Sequence, residues 1–268
     1  MGTSLVAAAS AAMAAVAGAS AQSINFQINP QASPTTTVGG GISAGEYFGS
    51  TTGTGNGFGS MIGAGRTLRT NVRGTSLFFG LEGSGLSGND IGVMYLDTRA
   101  GGIASTSGLT DAGDPGRAAV SGRGTGSGQS VLNFGSDFRP DYAITFQTNF
   151  IGLFQIVEGN SHVFVGALAQ SPTPASSMEV SVALSNLGIT QPGVATIRYM
   201  MTLLNAENAF RSNEFQGAGS SPSSNIGVNS FTFGQNQFAQ ITIIPNPVAA
   251  VTAAPLLGLV IARRRRIG

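Results

Sequence analysis

The sequence predicts an all-β body, an antiparallel β-sandwich of jelly-roll-like type, set between two apolar terminal segments. Three observations carry that expectation. Val, Ile and Phe fall in short clusters separated by Gly-, Ser- and Asn-rich punctuation, the pattern of strands joined by turns. Between residues 22 and 244 no long apolar run keeps the 3.6-residue helical period. Alternation is visible in Ser161-His162-Val163-Phe164-Val165-Gly166 and in Glu179-Val180-Ser181-Val182-Ala183-Leu184, as half-buried strands require, because successive side chains point to opposite faces.

Taken in order, the predicted strands are Ile24–Ile28, Ser76–Glu82, Ile91–Asp97, Tyr142–Gln147, Phe150–Val157, His162–Ala169, Met178–Leu184, Ala195–Leu203, Ser230–Phe233 and Phe238–Ile244. Asn149 and the Glu158–Ser161 stretch supply turn chemistry, since Gly and Asn tolerate positive φ. Residues 99–130 break the rhythm with many Gly and Ser, and a loop of that length is expected to be functional or disordered. Gln170–Ser177 and Gly217–Asn225 read as further connectors, and no fixed-period repeat points to a solenoid or propeller. A body of this size holds a sizeable core, and all-β domains of such length commonly remain single.

The chain has no lysine, and four of its thirteen cationic residues are Arg263, Arg264, Arg265 and Arg266. The body therefore sets nine arginines against twelve carboxylates, nine minus twelve giving −3. Binding nucleic acid needs clustered positive charge to displace phosphate counterions, so no nucleic-acid partner is expected. Zero cysteines exclude thiol catalysis, iron–sulfur clusters and Cys-based zinc sites.

Both ends read as addresses. Residues 5–18 are Ala, Val, Leu, Met and Gly interrupted only by Ser10, followed by Ala19-Ser20-Ala21. That small-x-small triplet is the kind signal peptidase cuts, with Ala19 and Ala21 as the recognised positions and Gln22 as the new N-terminus. No Lys or Arg precedes the apolar run. At the other end Pro245-Asn246-Pro247 precedes an uncharged stretch, Val248–Ala262, and then Arg263–Arg266. As a helix those fifteen residues would span about 22 Å, short of a hydrocarbon core about 30 Å thick. Snorkelling arginines and Ile241, Ile243 and Ile244 would extend the apolar length. The arginines are expected to stay cytoplasmic and the body to lie outside.

This layout resembles the PEP-CTERM sorting signal of Gram-negative and planctomycete-type bacteria, with Asn246 where that signal carries Glu. The resemblance implies an exosortase-type sorting enzyme as a partner, transient or anchored residence of the tail in the inner membrane, and a final place in the envelope or outside the cell. It divides the chain into a signal segment (1–21), a sandwich domain (22–244) and a sorting tail (245–268).

A second resemblance covers roughly residues 40–244. Gly41-Ile42-Ser43-Ala44-Gly45-Glu46-Tyr47, Ser76–Glu82, Ile91-Gly92-Val93-Met94-Tyr95-Leu96-Asp97 and Glu179–Gly188 are similar, in order and approximate spacing, to a family-nine-like carbohydrate-binding sandwich. The resemblance implies the fold. The aromatic sugar platforms of that family are missing, and Gly40-Gly41 stands where an Asp-Gly is usual.

Chemistry-bearing residues are few. His162 is the one histidine, so no histidine metal pair forms, and a Ser-His-Asp arrangement would depend on this residue alone. Its alternating strand makes a structural or surface role the expectation. Asp97, Asp111, Asp114, Asp137, Asp141 and the Asn89-Asp90 pair lie in or beside loops, where Ca²⁺ takes carboxylate and carbonyl oxygens. Asp111 and Asp114 are the leading calcium candidates, although solvated carboxylates are the plainer reading and no other cofactor is expected. Gly53-x-Gly55-x-Gly57-x-Gly59 and Gly122-Arg123-Gly124-Thr125-Gly126 lack the strand-then-helix context and Lys-Ser/Thr ending of a phosphate loop, and read as flexible turns. Sugar binding normally uses flat aromatic faces with a few polar groups. There is no Trp, and of four tyrosines Tyr47 and Tyr142 are the most loop-proximal ligand candidates, with core or edge packing as the competing role.

The leading expectation is thus an exported surface or matrix protein without catalytic activity. The alternative is a carbohydrate-binding module for envelope or environmental polysaccharide. A secreted hydrolase using paired carboxylates is a third reading, which sequence spacing alone does not support.

Overall fold

The structure, a computed structural model, describes residues 23–244 apart from 40, 61, 83–85, 87, 127, 160, 171–176 and 191–192. The signal segment with Ala19 and Ala21, the tail with Pro245, Asn246, Pro247 and Arg263–Arg266, and most of the 170–177 connector lie outside the described residues.

In chain order the strands are β1 (Ile24–Ile28), β2 (Gly49–Thr52), β3 (Thr67–Arg73), β4 (Ser76–Glu82), β5 (Asp90–Asp97), β6 (Val131–Asn133), β7 (Tyr142–Phe146), β8 (Ile151–Gln155), β9 (Val163–Ala167), β10 (Ala169–Gln170), β11 (Ser177–Ala183), β12 (Ala195–Asn205), β13 (Arg211–Gln216), β14 (Ser230–Thr232) and β15 (Ala239–Ile243). A short α-helix, α1, spans Pro115–Val120. The protein is an all-β sandwich. One sheet runs β1-β15-β12-β5-β7-β8-β9, with β13 also paired to β12, and the other runs β10-β11-β4-β3-β2. Pairing within them is antiparallel except for β1 on β15, and a small separate sheet pairs β6 with β14 in parallel.

Two cores lie on the two faces of the larger sheet. Between the sheets, Leu68 and Val72 of β3, Leu77, Phe79 and Leu81 of β4 and Val180 and Val182 of β11 meet Met94 and Leu96 of β5, Ile144 of β7 and Tyr199 and Met201 of β12. Each such side chain, taken out of water, contributes about 1.5–3 kcal/mol. On the outer face Val93, Tyr95, Met200 and Phe215 are covered by Leu109, Ala119, Val120, Phe134, Phe138 and Phe233. Both faces of β5 are therefore buried, which is why Ile91–Leu96 reads as a nearly continuous apolar run instead of an alternating one.

The predicted strands appear, β1 and β4 with their expected bounds and the others displaced by one or two residues, save that the stretch predicted at 162–169 ends where β10 begins. The structure narrows one expectation and corrects another. Of the two outcomes expected for residues 99–130, functional or disordered, the second is excluded for the described residues, which form an ordered cover over the outer sheet face. Its helix starts on Asp114, whose side chain accepts from the Arg117 amide, with Pro115 at the first helical position, where its missing N–H costs nothing. The correction is the set of strands with no sequence signal, β2, β3, β6 and β13. In β13 the buried residues include Arg211, Ser212, Glu214 and Gln216, and in β3 they include Thr70 and Asn71.

Candidate functional site

A polar cleft of about 590 Å³ lies at the end of the larger sheet where β5 begins and β12 ends. In that ladder Asp90 stands opposite Asn205. The Asn205 amide donates to Asp90 Oδ1 at 3.1 Å, and the Asn89 amide donates to Glu207 Oε2 at 3.2 Å. The Ala206 backbone amide donates to the Asn89 carbonyl at 2.8 Å, which locks the turn after β12 onto the start of β5. The opposite wall is the β7–β8 turn, Gln147–Phe150, closed by Gln147 N–H to the Phe150 carbonyl at 2.9 Å. Thr125 and Pro115, from the cover segment, complete the rim.

Apolar surface adjoins these polar groups. Phe150 lines the cleft and is 37% exposed, and Phe164 of β9, 45% exposed, tilts against it with ring centroids 6.2 Å apart. A neighbouring hollow of about 390 Å³ shares Asp90 and is walled by Asn205, Asn208, Phe58 and Phe210, the last two stacked at 6.1 Å. The arrangement can accept hydrogen bonds on carboxylates and amide carbonyls, donate them from amide N–H₂ groups, and offer a phenyl face. Sequence reasoning reached Asn89-Asp90 but not Glu207, Phe150 or the amides. Their signal was available only as polar residues closing two predicted strands, because the pairing that brings 89–90 to 205–207 is invisible in a single sequence.

Asp111 and Asp114 do come together, but on an arginine. Arg117 reaches Asp111 Oδ2 at 3.2 Å with Nη1 and Asp114 Oδ2 at 2.9 Å with Nε. Asp111 is buried and also accepts from the backbone amides of His162, at 2.6 Å, and Gly113, at 3.0 Å. Burial alone would raise its pKa, but these hydrogen bonds and the guanidinium outweigh it and hold the carboxyl below the usual range. The oxygens that calcium would need are thus engaged, and among the described residues no group of three or more His, Asp or Glu could hold a metal.

Tyr47 and Tyr142 are both buried, so neither offers its ring to a ligand. The Tyr47 hydroxyl donates to Glu179 Oε1 at 2.9 Å, and the Gly39 amide donates to Oε2 at 2.9 Å, which satisfies a carboxylate buried in β11. Burial first, and the adjacent Glu179 second, push the Tyr47 pKa strongly upward. Tyr142 is capped by the Arg99 guanidinium, 5.2 Å above its ring, while Arg99 also pairs with Asp141 at 2.9 Å.

His162 is a buried structural residue. The Val157 amide donates to Nδ1 at 3.3 Å, so the neutral ring carries its proton on Nε2 and donates to Ser121 Oγ at 2.9 Å. A base activating that serine would need the reverse direction. Burial depresses the His162 pKa, and Asp111 offsets this only in part.

The glycine run is also structural. A Cβ at Gly53 would overlap the carbonyl oxygens of Ile62 and Gly63, one at Gly55 the carbonyl of Asn213, and one at Gly57 the side chain of Asn225. Residues 53–60 form a strap pressed on β13, pinned by Thr54 N–H to the Phe215 carbonyl at 2.9 Å and by Ser60 N–H and Oγ–H to Glu214 at 2.7 and 2.9 Å. In the second run Gly124 packs against the backbone of Ala209, and Thr125 reaches the cleft rim.

The class these features define is an all-β sandwich with an open polar cleft at one end of its larger sheet. No family model matches the chain, and no curated protein matches its sequence. Among solved structures it is similar to a candidate carbohydrate-binding protein from Bacteroides uniformis, at 8% identity and a TM-score of 0.39, over 84% of this chain and 100% of that one. A likeness that distant carries no argument about activity.

Proposed function

We propose that the protein is an exported, non-catalytic envelope or extracellular protein that holds polysaccharide in the cleft between the β5–β12 end and the β7–β8 turn. The observation that carries this reading is one open cleft containing side-chain amides, two carboxylates and the exposed Phe150 ring. A sugar unit is amphipathic in the matching way, with an apolar C–H face and a hydroxyl rim that both donates and accepts. Export rests on the apolar run ending at Ala19-Ser20-Ala21 and on the Pro245-Asn246-Pro247, apolar span and arginine tail. Signal peptidase, an exosortase-type enzyme and the inner membrane are the partners of that passage. The absence of catalysis is supported by His162, whose proton points at Ser121.

The test is retention of the full-length protein on immobilised neutral and amino polysaccharides, with Phe150→Ala as the comparison. Phe150 is 37% exposed and rests on Phe164, so the variant should remain folded with a somewhat lower melting temperature and lose most of its retention. A folded wild type that passes every polysaccharide unretarded sinks the reading, and release of reducing ends from a retained polymer would replace binding by hydrolysis. Intact-mass analysis of fractionated host cells should find a mature chain beginning at Gln22 outside the cytoplasm.

A further inference from the structure

We infer that the folded body docks on an anionic bilayer through the end of the sandwich from which the tail leaves, so that the cleft faces away from the membrane. The inference rests on the export reading above for the tail and goes beyond it, because the sandwich itself supplies the contact. Ile244 directly follows β15, and its amide donates to the Ile28 carbonyl at 2.9 Å. The apolar stretch Val248–Ala262 begins four residues later. Four steps of at most about 3.6 Å keep Ile244 within roughly 14 Å of that stretch. A tail seated in the bilayer therefore brings this end of the sandwich to the headgroup layer.

Exposed apolar side chains collect at the same end. Phe48, 53% exposed, shares a hollow of about 360 Å³ with Ile244. Val194 is 71% exposed, and the Ala195–Ile243 register brings it to the end of β15 that Ile244 continues. Arginines stand around them. Arg73 is exposed at the β3–β4 turn, where the Gly74 amide donates to the Pro30 carbonyl at 3.2 Å. Arg99, Arg139 and Arg198 line a second hollow with Thr196, the neighbour of Ala195. Asp141 and Asp97, which pair with Arg99 and Arg198, are buried, and Asp137 is the half-buried carboxylate of that wall. Apolar side chains set among arginines match the edge of an anionic bilayer, where the first enter the acyl boundary and the second hydrogen-bond phosphate. The cleft lies at the other end of β12, whose eleven residues give ten steps at about 3.4 Å, or roughly 34 Å. A polysaccharide held there stands clear of the lipid.

Fluorescence of the full-length protein on lipid vesicles tests this orientation. The chain has no cysteine, so Val194→Cys and Thr125→Cys each carry a single label, one at the docking end and one on the cleft rim. On vesicles of equimolar phosphatidylcholine and phosphatidylglycerol doped with a nitroxide-bearing lipid, the label at 194 should be quenched several-fold more than the label at 125. That excess should shrink when phosphatidylglycerol is omitted, when salt is raised, and when Phe48→Ser is added, because docking needs both the charge and the apolar contact. Quenching at 194 that is unchanged with phosphatidylcholine alone and by Phe48→Ser reports tethering by the tail, which overturns the docking and leaves the export reading standing. Equal quenching at the two positions overturns it in the same way. A folded protein that stays off both kinds of vesicle overturns the docking and the membrane-resident tail together.

Discussion

Ser121 Oγ lies 2.9 Å from His162 Nε2 inside the layer that covers the larger sheet, and the Val157 amide claims the other ring nitrogen. The pair has the spacing of a nucleophile and its base, yet the hydrogen bond runs from the histidine to the serine. Charging this ring would force the Nδ1 acceptor to become a donor facing an N–H, and would place a cation in a buried site.

Stability should accordingly fall as pH drops below the ordinary histidine value near 6.5. The His162 pKa is lowered in the folded state, so the unfolded chain binds more protons in the window just beneath 6.5. The contribution is intact above that value and is lost on acidification. Thermal melts from about pH 7.5 to about 5 should show a declining midpoint for the wild type and a flatter line for His162→Gln. The comparison with the variant matters because Asp97 and Asp141, whose pKa values burial raises, favour the folded state on acidification and oppose the trend. A wild type and variant with parallel slopes would show that His162 is not the titrating group.

The second expectation concerns calcium. Arg117 already supplies the positive charge shared by Asp111 and Asp114, so millimolar calcium or a chelator should leave the melting temperature unchanged, a bound ion being required to raise it by mass action. Removing the guanidinium by Arg117→Met strands the buried Asp111 carboxylate and should cost about 1–3 kcal/mol in denaturant unfolding. A calcium-dependent rise in the wild-type midpoint would contradict the assignment of these carboxylates to Arg117.

How much of this was legible in the sequence depends on what each strand buries. β4 and β5 bury Leu, Phe, Val, Met and Tyr, and their apolar residues announce them. β13 buries Glu214, which accepts from Ser60, and Gln216, which accepts from Thr51 and donates to the Arg66 carbonyl. β3 buries Asn71, whose amide holds the Pro34 and Glu46 carbonyls. Polar residues satisfied by distant partners look like surface residues to any periodicity argument, since a buried polar group is tolerable once it is hydrogen-bonded. The same logic hid half of the cleft. Asn89-Asp90 was visible as a turn beside a strand, but Glu207 became its neighbour only through the β5–β12 register. Tyr47 stood out as an aromatic beside a loop, and nothing in the sequence tied it to Glu179, 132 residues away.

The glycine strap gives the most direct test of packing, because its glycines are needed for two different reasons. Gly53 sits against the carbonyl oxygens of Ile62 and Gly63, with the Gln216 amide also close, so a methyl there must displace backbone. Gly59 has open space around it but a φ of +72°, where an L side chain is strained. Gly53→Ala should therefore cost about 3 kcal/mol or more, the range of overpacking where neighbours cannot yield. Gly59→Ala should cost about 1–2 kcal/mol, the penalty of the left-handed conformation alone. Unfolding in denaturant measures both, and the gap between them reports how tightly the strap is pressed on β13. If the two variants lose equal stability, or if Gly53→Ala is neutral, residues 53–60 behave as the flexible turn that their composition implies, and Glu214 has lost the partner that explains its burial.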